Sequence, residues 1–175
     1  MAILKVARMG HPVLRAKALP IPPDQILTAP VQDLIDDMFE TMYAAPGVGL
    51  AGTQVGLARR LFVMDCSNGK DPGSRYFMAN PQIILQEGMQ DGEEGCLSIP
   101  GIYSKVQRSM RVIARGHDLN GKEYEIEGIE LEGRCLLHET DHCDGILYPN
   151  RISPLKRELV MRKVRKLQKA GEWPT

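Results

Sequence analysis

The run His138-Glu139-Thr140-Asp141-His142 holds the residue types that metal-assisted hydrolysis needs. On a helix, residues four apart lie on one face, one turn from each other. Two imidazoles so placed can hold one divalent metal. Glu139 is then near enough to carry a proton for a water at that metal. Half of the chain's four histidines fall in this run. A further protein ligand is still needed. The extension H-E-x-x-H-x-x-G-x-x-H continues through Gly145, but Tyr148 occupies its last position. Glu158 could act as a thermolysin-like glutamate, yet it opens a basic helix with no supporting motif. Cys96, within Glu94-Gly95-Cys96-Leu97-Ser98-Ile99-Pro100, is the better candidate. A thiolate beside two neutral imidazoles is a known ligand set with one open position. It suits first-row transition metals and excludes Mg²⁺ and Ca²⁺, which want oxygen.

A third island is Gly47-Val48-Gly49-Leu50-Ala51-Gly52-Thr53-Gln54. Its glycines let a backbone approach a ligand closely. It is not a phosphate loop, because the G-K-[ST] ending is missing and no strand precedes it. Gln54 supplies a neutral amide donor, the kind that stabilises an oxyanion.

These islands need elements to hold them. Residues 20–30 carry Pro20, Pro22, Pro23 and Pro30, which predicts an irregular connection. Val31, Leu34, Ile35, Met38 and Met42 recur at helical spacing, with Thr28 as N-cap and an end before Pro46-Gly47. Strands are expected over 60–65, over 76–86 with a break at Pro81, within 102–117, and over 122–131. A helix over about 132–144 carries the two histidines. Another runs from Ser153-Pro154 to about Ala170-Gly171, docked by Leu155, Leu159, Val164 and Leu167. Short strands followed late by helices predict an α+β fold. Its 175 residues fit a single domain spanning 1–175.

Composition narrows the function. Apolar residues are 43% and charged residues 25%, ordinary for a soluble protein. Twenty-two basic residues balance 22 acidic ones, which disfavours a nucleic-acid or membrane-surface binder overall. Aromatics are 5%, too few for a base-stacking platform. No stretch reaches the roughly 18 apolar residues of a membrane span, and the first residues do not read as a signal peptide. A cytoplasmic protein is expected, so Cys66, Cys96, Cys135 and Cys143 read as thiols or ligands and not as disulfides. Cys143 should pack, since helix geometry turns it about 100° from His142.

Taken in order, the three islands resemble the motifs of peptide deformylases: G-x-G-x-A-A-x-Q, E-G-C-L-S and H-E-x-D-H. Gly10-His11-Pro12-Val13-Leu14-Arg15 and Ile152-Ser153-Pro154-Leu155-Lys156-Arg157 match as well, so the likeness covers nearly the whole chain. Gly52 stands where the family usually has alanine, which predicts a slightly looser loop. Leu137 stands where glutamine is usual.

The resemblance implies a compact α+β domain of short, mostly antiparallel strands around a central metal-binding helix, with a C-terminal helix. It implies a hydrolase that removes the N-terminal formyl group from formyl-methionine of nascent polypeptides. Cys96, His138 and His142 would hold one divalent metal, Fe²⁺ in cells, with Zn²⁺, Ni²⁺ or Co²⁺ able to occupy the site. Glu139 would be the acid and base. Gln54 and the backbone N–H of Leu97 would hold the oxyanion. Val48 and Gly49 would run beside the peptide, and the methionine side chain would enter a pocket near Cys135. The basic helix over 153–175 would reach the ribosome near its exit tunnel. Two other readings remain open on the residues alone. A zinc endopeptidase would take its third ligand downstream, and a non-catalytic module would close its metal with a fourth protein ligand.

Overall fold

The computed structural model describes residues 1–174. Chain order is α1 (Pro23–Ile26), α2 (Ala29–Ala44), β1 (Gly49–Ala51), β2 (Leu61–Met64), β3 (Tyr76–Glu87), β4 (Gln90–Cys96), β5 (Ile99–Arg108), β6 (Arg111–His117), β7 (Glu123–Ile129), α3 (Leu131–Cys143) and α4 (Pro154–Lys169). A five-stranded sheet has the order β1-β2-β3-β6-β7, and β4 and β5 form a separate hairpin. All strand pairs are antiparallel.

Side chains alternate across a strand, and β2 shows the consequence. Leu61 and Val63 join Ile35, Met38, Phe39 and Met42 of α2 in one apolar cluster. Phe62 and Met64 face the other way and pack with Leu136 of α3, Met78, Val112 and Ile126. The helix α2 therefore covers the β1–β2 end of one face of the sheet, and α3 packs on the other face. A third cluster joins Ile99, Ile102 and Val106 of β5 to Tyr148, Val160 and Val164, and so docks α4. The helix α3 is held between the main sheet and the β4–β5 hairpin.

Several expectations shift in detail. The proline-rich stretch contains the short helix α1, because Pro23 can occupy a first helical turn. Pro81 does not break β3; the strand absorbs it with a register shift between Ala79 and Gln82. Thr28 sits at the N-cap of α2, but its hydroxyl donates back to the Gln25 carbonyl. In α4, Val160 and Val164 are buried while Leu155 and Leu159 are 73% and 47% exposed. The docking face is thus rotated from the predicted one.

Candidate active site

Cys96 ends β4, and His138 and His142 lie one turn apart on α3. Their donor atoms all fall within 4.8 Å of one another. Cys96 Sγ is 3.3 Å from His142 Nε2, which is 3.2 Å from His138 Nε2. Ligand atoms about 2.0–2.3 Å from a tetrahedral metal sit about 3.3–3.6 Å apart. The observed spacing and the sulfur–nitrogen donor set therefore fit one first-row divalent ion.

Cys96 and His138 floor a cleft of about 420 Å³ walled by Gly47, Val48, Leu97, Tyr103 and Leu131, and His142 is buried just behind them. Glu139 lies in the same cleft, only 3% exposed. Among the described residues, its Oε2 and His142 Nδ1 have no hydrogen-bond partner. Burial pushes the Glu139 carboxyl up to about 7. A buried, unpaired carboxyl that titrates near neutrality is matched to proton transfer. A Cβ built on Gly49 would clash with Glu139 Oε1, so glycine is what lets β1 pass this close.

The Gln54 side chain sits beside the sulfur. Its Oε1 accepts from Ala51 N at 3.0 Å, which fixes the amide orientation. Its Nε2 donates to Ser98 Oγ at 3.2 Å and approaches Cys96 Sγ at 3.5 Å. Gly52 does not loosen this loop: a Cβ there would meet the Arg59 carbonyl at 2.7 Å. Missing bulk here allows closer packing of the chain. Cys135 is buried at the cleft wall, with its Sγ 3.5 Å from the Val48 carbonyl. A hydrogen bond with Cys66, and then burial, raise its thiol well above the ordinary value. Cys143 is fully buried and pushed up to about 12 by burial, in keeping with a packing role.

Behind the histidines lies a charged network that the motifs do not announce. The Glu94 carboxylate stands 2.5 Å from His138 Nδ1, so that N–H donates to it and Nε2 is left facing the cleft. Arg108 holds Glu94 through Nε and Nη2, and reaches Asp141 at 2.7 Å through Nη1. Arg151 binds Asp141 from outside at 2.7 Å. Arg134 is buried and donates to Glu94 at 2.9 Å and to the Val106 carbonyl at 2.8 Å. Burial alone would raise the Glu94 carboxyl. Hydrogen bonds from His138 and Arg108 outweigh it and hold the group well below the carboxylate range. In the same way burial opposes charge on His138, and its bonds to Cys96 and Glu94 reverse the effect. His142 has no carboxylate on its Nδ1, and burial and then the His138 charge push it down. The sequence signals for this network are Glu94, which opens the cysteine motif, and Asp141, the acid within H-E-x-D-H.

A sheet-packed helix presenting two histidines and a glutamate, completed by a cysteine from a hairpin, defines a metal-dependent hydrolase of the H-E-x-x-H kind. Residues 3–158 match the family model described as polypeptide deformylase. The chain is 45% identical over 173 residues to a peptide deformylase of Acidobacterium capsulatum, covering 99% of this chain and all of that one. It is 48% identical over 163 residues to one from Thermodesulfovibrio yellowstonii, covering 93% and 97%. A peptide deformylase structure from Legionella pneumophila superposes with a TM-score of 0.89 at 39% identity, covering 99% of this chain and 100% of that one. The chain belongs to the peptide deformylase family.

Proposed function

We infer that this chain is a metal-dependent amidohydrolase that removes the formyl group from formyl-methionine at the start of nascent polypeptides and releases formate. The observation that carries this reading is the convergence of Cys96, His138 and His142 at the base of the cleft that holds the unpaired carboxyl of Glu139. We assign the metal to those three side chains. When bound, such an ion supplies Lewis acidity to a water and to the formyl oxygen. Fe²⁺ is our assignment in cells, with Zn²⁺, Ni²⁺ or Co²⁺ as alternatives that the donor set also accepts.

The remaining steps fall to the chain's own groups. Glu139 takes a proton from the attacking water as oxygen adds to the formyl carbon. It returns that proton to the departing amine as the C–N bond breaks. Gln54 Nε2 and the Leu97 N–H donate to the oxygen on which charge develops. One such donor is worth on the order of 3 kcal/mol in the transition state. The strand β1 is at the sheet edge, so the peptide can pair alongside Val48 and Gly49 as an added strand. Methionine then fills the apolar wall at Cys135 and Leu131. The tight, glycine-lined site admits formyl and excludes acetyl.

The same reading takes residues 1–175 as a single domain working in the cytoplasm. No helix among the described residues is long and apolar enough to cross a membrane. It also assigns the exposed basic face of α4, with Lys156, Arg157, Arg162, Lys163, Arg165, Lys166 and Lys169, to contact with the ribosome near its exit tunnel.

The test is metal content measured together with turnover of formyl-Met-Ala-Ser and acetyl-Met-Ala-Ser. Wild-type protein should hold one metal and cleave only the formyl peptide, and Cys96→Ser should lose both metal and turnover. Full metal in Cys96→Ser, or equal cleavage of the acetyl peptide, would defeat the reading.

A further inference from the structure

Residues 2–9 belong to no helix or sheet, yet they are tied down along their length. Ala2 N donates to Asp37 Oδ1 at 2.6 Å and Leu4 N to Thr41 Oγ1 at 2.8 Å, which anchors the segment to α2. Its far end reaches the cleft. Ala7 N donates to the Gln54 carbonyl at 2.7 Å. Met9 N donates to the Ser98 carbonyl at 2.8 Å. Between them, Arg8 Nη1 donates to the Leu97 carbonyl at 2.6 Å. Gln54 and Leu97 lie on separate loops, one before β2 and one between β4 and β5. Three consecutive residues of this segment therefore clamp both loops. The middle clamp is charge-assisted and short, the strongest class of such bonds.

We propose that Arg8 is a positioning residue for the oxyanion donors, fixing the Leu97 peptide relative to Gln54. This rests on the reading of Gln54 and Leu97 as those donors. The physical reason is a geometric one. Donors stabilise a transition state only if they are aimed beforehand at where charge will develop. A misplacement of about 1 Å can cost about 10²-fold in rate. Nothing else in the Cys96–Ile99 turn supplies a charged anchor to the Leu97 carbonyl. The neighbouring Ser98 Oγ is already engaged with Gln54 Nε2, so a shift of the turn would carry Gln54 with it.

The experiment uses the metal-loaded enzyme with formyl-Met-Ala-Ser. Arg8→Met keeps the bulk of the side chain and removes its donors. It should lower kcat by roughly ten- to a hundredfold, leave KM within about twofold, and keep full metal content. Arg8→Lys restores a charged donor and should recover most of kcat. Thr41→Val cuts the opposite anchor of the same segment. It should lower the melting temperature without changing kcat, which separates positioning from simple stability. Combined with Gln54→Ala, the Arg8→Met loss should be less than multiplicative, because the donors act together. An Arg8→Met enzyme with unchanged kcat beside a defective Gln54→Ala would overturn the inference alone. So would loss of metal in step with activity, or a rise confined to KM. Undiminished kcat in Gln54→Ala would overturn the oxyanion reading and this inference with it.

Discussion

Two sets of ion pairs in this molecule use the same chemistry to opposite ends. Beneath the cleft, Arg108 and Glu94 are each 5% exposed at the side chain, and Asp141 is 10%. On the outer face of the main sheet, Arg111 pairs with Glu87 and Glu127, and Arg115 with Glu125, all between 36% and 56% exposed. The outer pairs reach across neighbouring strands; Arg115 lies opposite Glu125 in the β6–β7 register. They favour that register but sit in water, where the attraction is weak and screened. The inner pairs have given up their hydration and must therefore be complete. Each oxygen of Glu94 has a donor, and their combined effect is to aim one ring of His138. Charge in the interior sets geometry; charge on the surface biases pairing.

Glu139 breaks the inner pattern, since it is buried without a partner, and changing it should give the largest effect. Glu139→Ala should keep metal and lose about 10²–10⁴-fold in turnover. Its melting temperature should be equal to or above the parent's, because an unpaired buried carboxyl opposes folding. A loss of both stability and metal would show that Glu139 belongs with the structural charges.

Removing a shared partner from the inner set should come next. Arg108→Met removes the one cation that Glu94 and Asp141 share, leaving Arg134 and His138 on the first and Arg151 on the second, and should cost about 3 kcal/mol of unfolding free energy in urea. A small change there would erase the contrast between the two regions.

Asp65, at the end of β2, is an intermediate case, buried but neutralised by neutral donors. Burial raises its carboxyl, but bonds from Ser67, Tyr43 and Gly69 win and hold it below its ordinary value of 3.8. Its contribution is therefore fully present above pH 3.8 and is lost as pH falls through the depressed folded value. Asp65→Asn should flatten the acid limb of stability in urea titrations run from about pH 5 downward. An unchanged acid slope would show that these bonds do not favour the ionised form.

The smallest effect is expected outside. Arg111→Ala and Arg115→Ala should leave the urea midpoint unmoved within error at moderate salt. A clear loss, removed by salt, would mean that the outer pairs act as a network.

The same contrast explains what could be read from the chain alone. The helix α3 is legible because its two histidines lie one turn apart, and Cys96 is legible because a glycine and a motif flank it. Glu94 and Asp141 lie inside motifs, but nothing in sequence pairs them with each other or with Arg108, which looks like an ordinary surface charge. They become a site only when β4, β5 and α3 dock, and no local pattern encodes that. Arg134 is silent in sequence for the same reason, since its role appears only once Glu94 is placed beside it. β4 goes unannounced because Gly92 and Gly95 interrupt any strand-like alternation. Those glycines are there for neighbours, Gly95 for the ring of Tyr103 at 2.5 Å from a built Cβ.

Gly49 carries a consequence for heredity. Any missense change in its codon adds at least a methyl group where the Glu139 carboxyl already stands. Selection therefore sees this position as a single permitted letter. In a saturation library screened for growth that depends on this activity, column 49 should empty completely, alanine and serine included. Val48 beside it, half-buried with room in the cleft, should tolerate several apolar replacements. The boundary between a frozen and a free position would then run through one peptide bond.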